Sequence, residues 1–107
     1  MAADFLIKKD DTYPPITAIL QRDGSAIDLS GATVQFQMAL QGESALTVDA
    51  AATVTDAENG EVEYSWDAAD TDVVGIYEAE FVITYASGRI ETFPNDHFLY
   101  IEIVEDL

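Results

Sequence analysis

The sequence predicts an all-β protein: an antiparallel sandwich of about seven to nine short strands, closed by packing without a disulfide. Three observations predict it. Residues 75–85 alternate apolar and polar over a length that calls for a strand with one buried and one wet face. Turn residues recur between short alternating runs along the whole chain. No segment keeps a helix signal, and neither an internal repeat nor a linker interrupts the 107 residues, so residues 1–107 read as a single domain able to bury one core.

The elements follow in order. Phe5-Leu6-Ile7-Lys8 is a first short strand. Tyr13-Pro14-Pro15 ends it, because neither proline can donate to a ladder. Ile16 to Gln21 is a strand, Arg22-Asp23-Gly24-Ser25 a turn that can take positive φ, and Ala26-Ile27-Asp28-Leu29 its return before Ser30-Gly31. Thr33 to Leu40 is amphipathic, with Val34, Phe36, Met38 and Leu40 on one face and Gln35 and Gln37 on the other. Residues 45–55 read as one or two short strands near an edge, since Thr53-Val54-Thr55 outweighs the helix tolerance of the alanines before it. Asn59-Gly60 is a hairpin signal leading into residues 61–66, with Val62, Tyr64 and Trp66 inward. Residues 67–74 form an acidic loop. Tyr77, Ala79, Phe81 and Ile83 then face the core, Ala86-Ser87-Gly88 turns into residues 89–93, and residues 97–104 are the last strand after Pro94-Asn95-Asp96.

A detail favours the immunoglobulin-like form of the sandwich. Such folds often start their sixth strand with a Tyr, two residues before a core position, whose hydroxyl bonds back to the preceding corner. Gly75-Ile76-Tyr77-Glu78-Ala79 has that spacing, and a plain core aromatic at Tyr77 is the competing reading. Trp66, the only tryptophan, is a candidate central plug.

Composition constrains the setting. There are 21 Asp and Glu against 4 Lys and Arg, a net charge of −17, and no cysteine. This surface repels nucleic acid and anionic membranes, because phosphate binding needs clustered bases. No apolar run approaches a membrane helix, and the N-terminus lacks the pattern of a signal peptide. A salt-rich environment, a calcium-rich surface and an ordinary acidic domain with a basic partner are all compatible with such acidity. High net charge keeps a protein soluble but strains the compact state, and salt relieves that strain.

The residues carry no convincing chemical site. Asp56-Ala57-Glu58-Asn59-Gly60 mimics a calcium loop, but Gly60 is fifth, the twelfth position is Asp67, and no helices flank it. Asp67, Asp70 and Asp72 read as a solvated loop. His97 beside Asp96 has no serine in a nucleophile context to activate, and one His without Cys serves zinc poorly. The reading is therefore a non-enzyme with no cofactor. What remains is surface: Leu6, Val82, Phe98, Tyr100 and Val104 are apolar residues at positions expected to be wet, and they are the candidate interface. A bulge that turns them inward is the alternative.

In order along the chain, Ile7 to Ile16, Asp28 to Phe36, Gly60 to Tyr64, Asp70 to Phe81 and Gly88 to Asp96 resemble the N-terminal immunoglobulin-like domain of phage baseplate upper proteins. The resemblance implies a non-enzymatic virion component that assembles in the host cytoplasm and packs against other virion proteins, as an oligomer in the particle. Members of that family carry a further receptor-binding part, whereas this sequence stops at Asp106-Leu107. The expectation is thus a tail or baseplate adaptor. A capsid decoration protein and a free adhesion or glycan-binding module are the alternatives. The acidity fits a virus of a salt-loving host.

Overall fold

The computed structural model describes residues 3–107. The chain forms β1 (Phe5–Lys8), β2 (Ile16–Ile19), β3 (Gln21–Arg22), β4 (Ser25–Ala26), β5 (Thr33–Leu40), β6 (Val48–Asp56), β7 (Glu61–Tyr64), β8 (Gly75–Thr84), β9 (Ile90–Phe93) and β10 (Leu99–Val104). A 3-10 turn, Ala68–Asp70, precedes β8. The all-β class holds. Its ladder runs without a break in the order β1-β10-β8-β5-β6-β7-β2, and β9 also pairs with β8, so eight strands wrap the core in a nearly closed path.

The path can close because of β6. Its first half pairs with β5, from Ala52 opposite Val34 to Val48 opposite Met38. Its second half pairs with β7, where the register slips between Val54 and Asp56. Such a bulge bends a strand and increases its twist. Ala50 lies opposite Phe36 and Ala52 opposite Val34, so small side chains meet large ones as the sheet turns. This corrects the expectation of one or two short strands near an edge over residues 45–55: the segment forms a nine-residue strand, Val48–Asp56, inside the ladder between β5 and β7. Alanine's weak β preference hid it, and cross-strand packing overrides that preference.

Other departures have equally local causes. Were residues 61–66 and 76–85 neighbouring strands, Glu61, Glu63, Glu78 and Glu80 would share one outer surface; β7 pairs instead with β6 and β2, so that surface does not form. The strictly antiparallel expectation fails at one edge, where β1 lies parallel to β10 with Phe5 opposite Ile101 and Ile7 opposite Ile103. Parallel neighbours need a long crossover, and here almost the whole chain supplies it. Residues 27–29 leave the ladder after β4. β9 and β10 share one edge of β8, at residues 81–84 and 75–79 respectively, separated by an excursion over residues 94–98. The last strand therefore starts at Leu99, two residues later than expected.

The turns divide the same way. Asp23 (φ 55°) and Gly24 (φ 82°) close the β3–β4 hairpin with both central residues at positive φ, as Asp-Gly predicts. The β6–β7 connection is instead the four-residue turn 57–60, closed by Gly60 N–H donating to the Ala57 carbonyl at 3.2 Å, so Asn59-Gly60 is not a two-residue turn. Gly60 is required for another reason: a Cβ there would stand 2.7 Å from the Leu20 carbonyl oxygen and 2.8 Å from that of Ile27.

Alternation sets the core. Val34, Phe36 and Met38 of β5, Tyr77, Ala79, Phe81 and Ile83 of β8, and Ile101 and Ile103 of β10 are buried together with Ile7, Leu20, Leu29 and Val62. Trp66 is a plug as expected: it meets Phe36 and Tyr64 edge-on, with centroids 5.7 and 5.4 Å away, and Phe5 at 5.7 Å. Its indole N–H is buried with no acceptor among the described residues. Tyr77 is more than a core aromatic, because its hydroxyl donates to the Val73 carbonyl at 2.6 Å, four residues upstream.

Candidate interface

The outer side of β1, β10 and β8 is built by the residues that alternate with the core. Since Ile7, Ile101, Ile103, Tyr77 and Ala79 point inward, Leu6, Tyr100, Glu102, Val104, Ile76 and Glu78 are carried outward by the period of two. The register sets them in rows. Leu6 lies opposite Glu102, which lies opposite Ile76. Tyr100 lies opposite Glu78, which faces Ala39 on its other side. Lys8 lies opposite Val104. Leu6 is 58% exposed and Ile76 42%, while Tyr100, Glu102 and Val104 are half-buried. A shallow pocket of about 140 Å³ opens on this face, lined by Ala3, Gln41, Ile76, Tyr100 and Glu102.

The five sequence-chosen residues are placed as follows. Leu6, Tyr100 and Val104 share the β1–β10 surface. Phe98 is exposed in the excursion before β10. Val82 lies on the same side of β8 but farther along it, half-buried between Gln35 and Thr92. No bulge turns any of the three ladder residues on β1 and β10 inward. Ile76 and Gln41 were missed. Ile76 could have been found from the alternation of β8, whose inward set already excludes it. Gln41 is positioned by its N–H bond to the Ile76 carbonyl at 2.9 Å, a contact between distant segments that spacing does not reveal.

Elsewhere the polar groups hold structure together. Arg22, in the β3–β4 hairpin, donates to both carboxylate oxygens of Glu91 on β9, at 2.6 and 2.9 Å. It also donates to the Tyr85 hydroxyl at 3.0 Å, and that hydroxyl donates to Glu91 at 2.7 Å. Bonding by Arg22 and then by Tyr85 holds the Glu91 carboxyl down at about 2. The same contacts raise the Arg22 guanidinium still further above neutrality.

Asp70, expected in a solvated loop, is buried instead and accepts the Tyr64 hydroxyl at 2.6 Å and the Asp67 N–H at 2.9 Å. Burial, then the bond to Asp70, pushes the Tyr64 phenol well above its ordinary range. The signal for this was the six-residue spacing between an inward tyrosine and an acid, which is visible only once the loop's path is known. His97 contacts Asp96 on the surface, and among the described residues no hydroxyl is bonded to it. No three acidic or histidine side chains converge for a metal among the described residues.

In three dimensions the chain resembles the N-terminal domain of ORF48 of phage TP901-1, with a TM-score of 0.70 and 19% identity, covering 92% of this chain and 82% of that one. It also resembles CopC from Methylosinus trichosporium OB3b, with a TM-score of 0.56 and 12% identity over 99% of this chain and 88% of that one. At such identities the likeness concerns the fold. No curated protein matches the sequence. The chain belongs to the family described as BppU N-terminal domain, whose pattern matches residues 6–102. That is the baseplate upper protein family, and membership supports a structural role in a phage tail or baseplate.

Proposed function

We propose that this chain is a non-enzymatic structural subunit of a tailed virus, an adaptor in the tail or baseplate that acts by packing against other virion proteins. The family match over residues 6–102 carries this reading. The outer face of β1, β10 and β8 supports it, because it gathers Leu6, Ile76, Tyr100 and Val104 on one wet surface, and clustered exposed apolar groups mark interaction sites. Leu6, Tyr100 and Val104 form the centre of the contact surface, with Phe98 and Val82 flanking it. Residues 1–107 act as one domain, an immunoglobulin-like sandwich. The bond from the Tyr77 hydroxyl to the Val73 carbonyl supports that assignment, being the corner contact such sandwiches use.

Copies of the subunit are repeated by the symmetry of the particle. Assembly takes place in the host cytoplasm. A net charge of −17 argues against nucleic acid or an anionic membrane as partner and suits a salt-rich host. Immunogold labelling of intact particles, with antibody to this domain, tests the proposal. Gold at the tail tip is the expected outcome. Gold over the head instead would make the chain a capsid decoration protein, and unlabelled particles beside a labelled coat protein would favour a free binding module.

A further inference from the structure

We infer that the outer face of β1, β10 and β8 receives a different protein chain, one that presents an apolar side chain flanked by lysine or arginine, and not a second copy of this chain. The inference rests on the assembly reading above and names its partner's chemistry. The face interleaves apolar groups with carboxylates: Leu6, Glu102 and Ile76 form one row, and Tyr100 and Glu78 the next, with Glu80 beyond on β8. Glu78, Glu80 and Glu102 are half-buried, and among the described residues none lies within ion-pair distance of a basic side chain.

A partner that covers Ile76 and Tyr100 must also dry these carboxylates. Drying an unpaired charge is costly, whereas drying one against an opposite charge is offset. The occupant therefore supplies cations at the spacing of the acids and an apolar group for the pocket beside Ile76 and Tyr100.

A second copy docked through this same face cannot do this. A two-fold contact sets the same patch against itself. Lys8 is the base on this patch, facing Val104 at its edge, against three acids. Arg22 is already held by Glu91, and each copy carries a net charge of −17. Nucleic acid is repelled by the same charges.

The test uses the full chain, labelled with nitrogen-15, and a short peptide of alternating lysine and leucine kept below its self-association concentration. The same peptide with glutamate for lysine is the comparison. Amide shifts are expected to cluster at residues 4–8, 76–80 and 99–104, with no response to the glutamate peptide. Ile76→Ser should weaken the lysine peptide about tenfold, the loss of one well-packed interface side chain. Glu78→Gln together with Glu80→Gln should weaken it and flatten its salt dependence, while Glu43→Gln with Glu58→Gln changes neither. Shifts spread evenly over the acidic surface, or affinity indifferent to Ile76→Ser, would overturn the inference. So would a dimer, seen by sedimentation equilibrium of the chain alone, that Ile76→Ser dissolves. Because the glutamine variants alter only charge at the surface, they decide the matter even if Ile76→Ser folds poorly. Particles free of the chain would remove the assembly reading and leave the peptide result intact; labelled particles with scattered shifts would remove only this inference.

Discussion

Two glycines separate conformational need from spatial need. Gly24 has φ 82° and nothing within 4 Å of the place a Cβ would occupy, so Gly24→Ala meets only the left-handed backbone cost of about 1 kcal/mol. Gly60 has φ 70° and two carbonyl oxygens where the Cβ would sit, both backbone and neither free to swing away. Gly60→Ala is expected to destabilise by about 3 kcal/mol or more, through strain plus displacement of the Leu20 and Ile27 segments. Urea unfolding of the two variants checks this, and equal losses would refute the argument from space. Glu91 offers a pH test. Its carboxyl stays ionised down to about 2 in the folded chain, whereas an unfolded Glu takes its proton near ~4.3. The pair with Arg22 therefore adds stability above the unfolded value, and that contribution fades as pH falls through about 2. Glu91→Gln should lose stability at neutral pH and converge on the parent between pH ~4.5 and about 2. A constant gap across that range, measured by thermal melts, would show that the pairing is not the cause. Both side chains reach solvent, so the effect is small and salt-sensitive.

At the scale of the element, alternation was the legible signal. β5, β7, β8 and β10 lie within the runs their periods mark, although β7 and β10 are each two residues shorter than expected, and most of their inward residues are buried, Leu40 only partly. What spacing did not disclose was partnership. β1 reads only as a short strand, yet its place parallel to β10 brings Ile7 to 3% exposure and Phe5 against Trp66. Ile7→Ala is accordingly expected to cost about 2–4 kcal/mol, the range for emptying a buried aliphatic site. A loss below ~1 kcal/mol in equilibrium unfolding, ordinary for a surface position, would mean that β1 is not docked on β10. β6 was obscured by its alanines, whose fitness depends on Phe36 and Val34 across the ladder. The candidate interface was legible in the same uneven way. The outward parity of Tyr100 and Val104 follows from their strand, but the meeting of Leu6 with Glu102 and Ile76 depends on which strands are neighbours.

For the whole molecule the dominant quantity is charge. Facing acids are not the main source of repulsion. Glu78 stands opposite Ala39 and Tyr100, and Glu80 opposite Gln37, although Asp56 and Glu61 do meet beside the turn that joins β6 and β7. The strain is instead the summed field of a net charge of −17. Melting temperature should therefore rise with sodium chloride and level off as the screening length shrinks to about 3 Å near 1 M. A melt indifferent to salt, by calorimetry, would remove this account of the acidity and the salt-rich setting with it.

By itself the sequence determined the all-β class, the inward residues of β5, β8 and β10, the Asp23-Gly24 hairpin, and a net charge of −17. These are properties of single strands, single turns or total charge, and a local period or a count expresses them. The tertiary structure alone decided the order of strands, the parallel seating of β1, the burial of Asp70 under Tyr64 and the rows that join Leu6, Ile76 and Tyr100 into a face. Each of these depends on contacts between segments far apart in the chain. Period-two alternation says which side of a strand is buried, but many neighbours satisfy the same alternation, and only packing of the shared core selects among them.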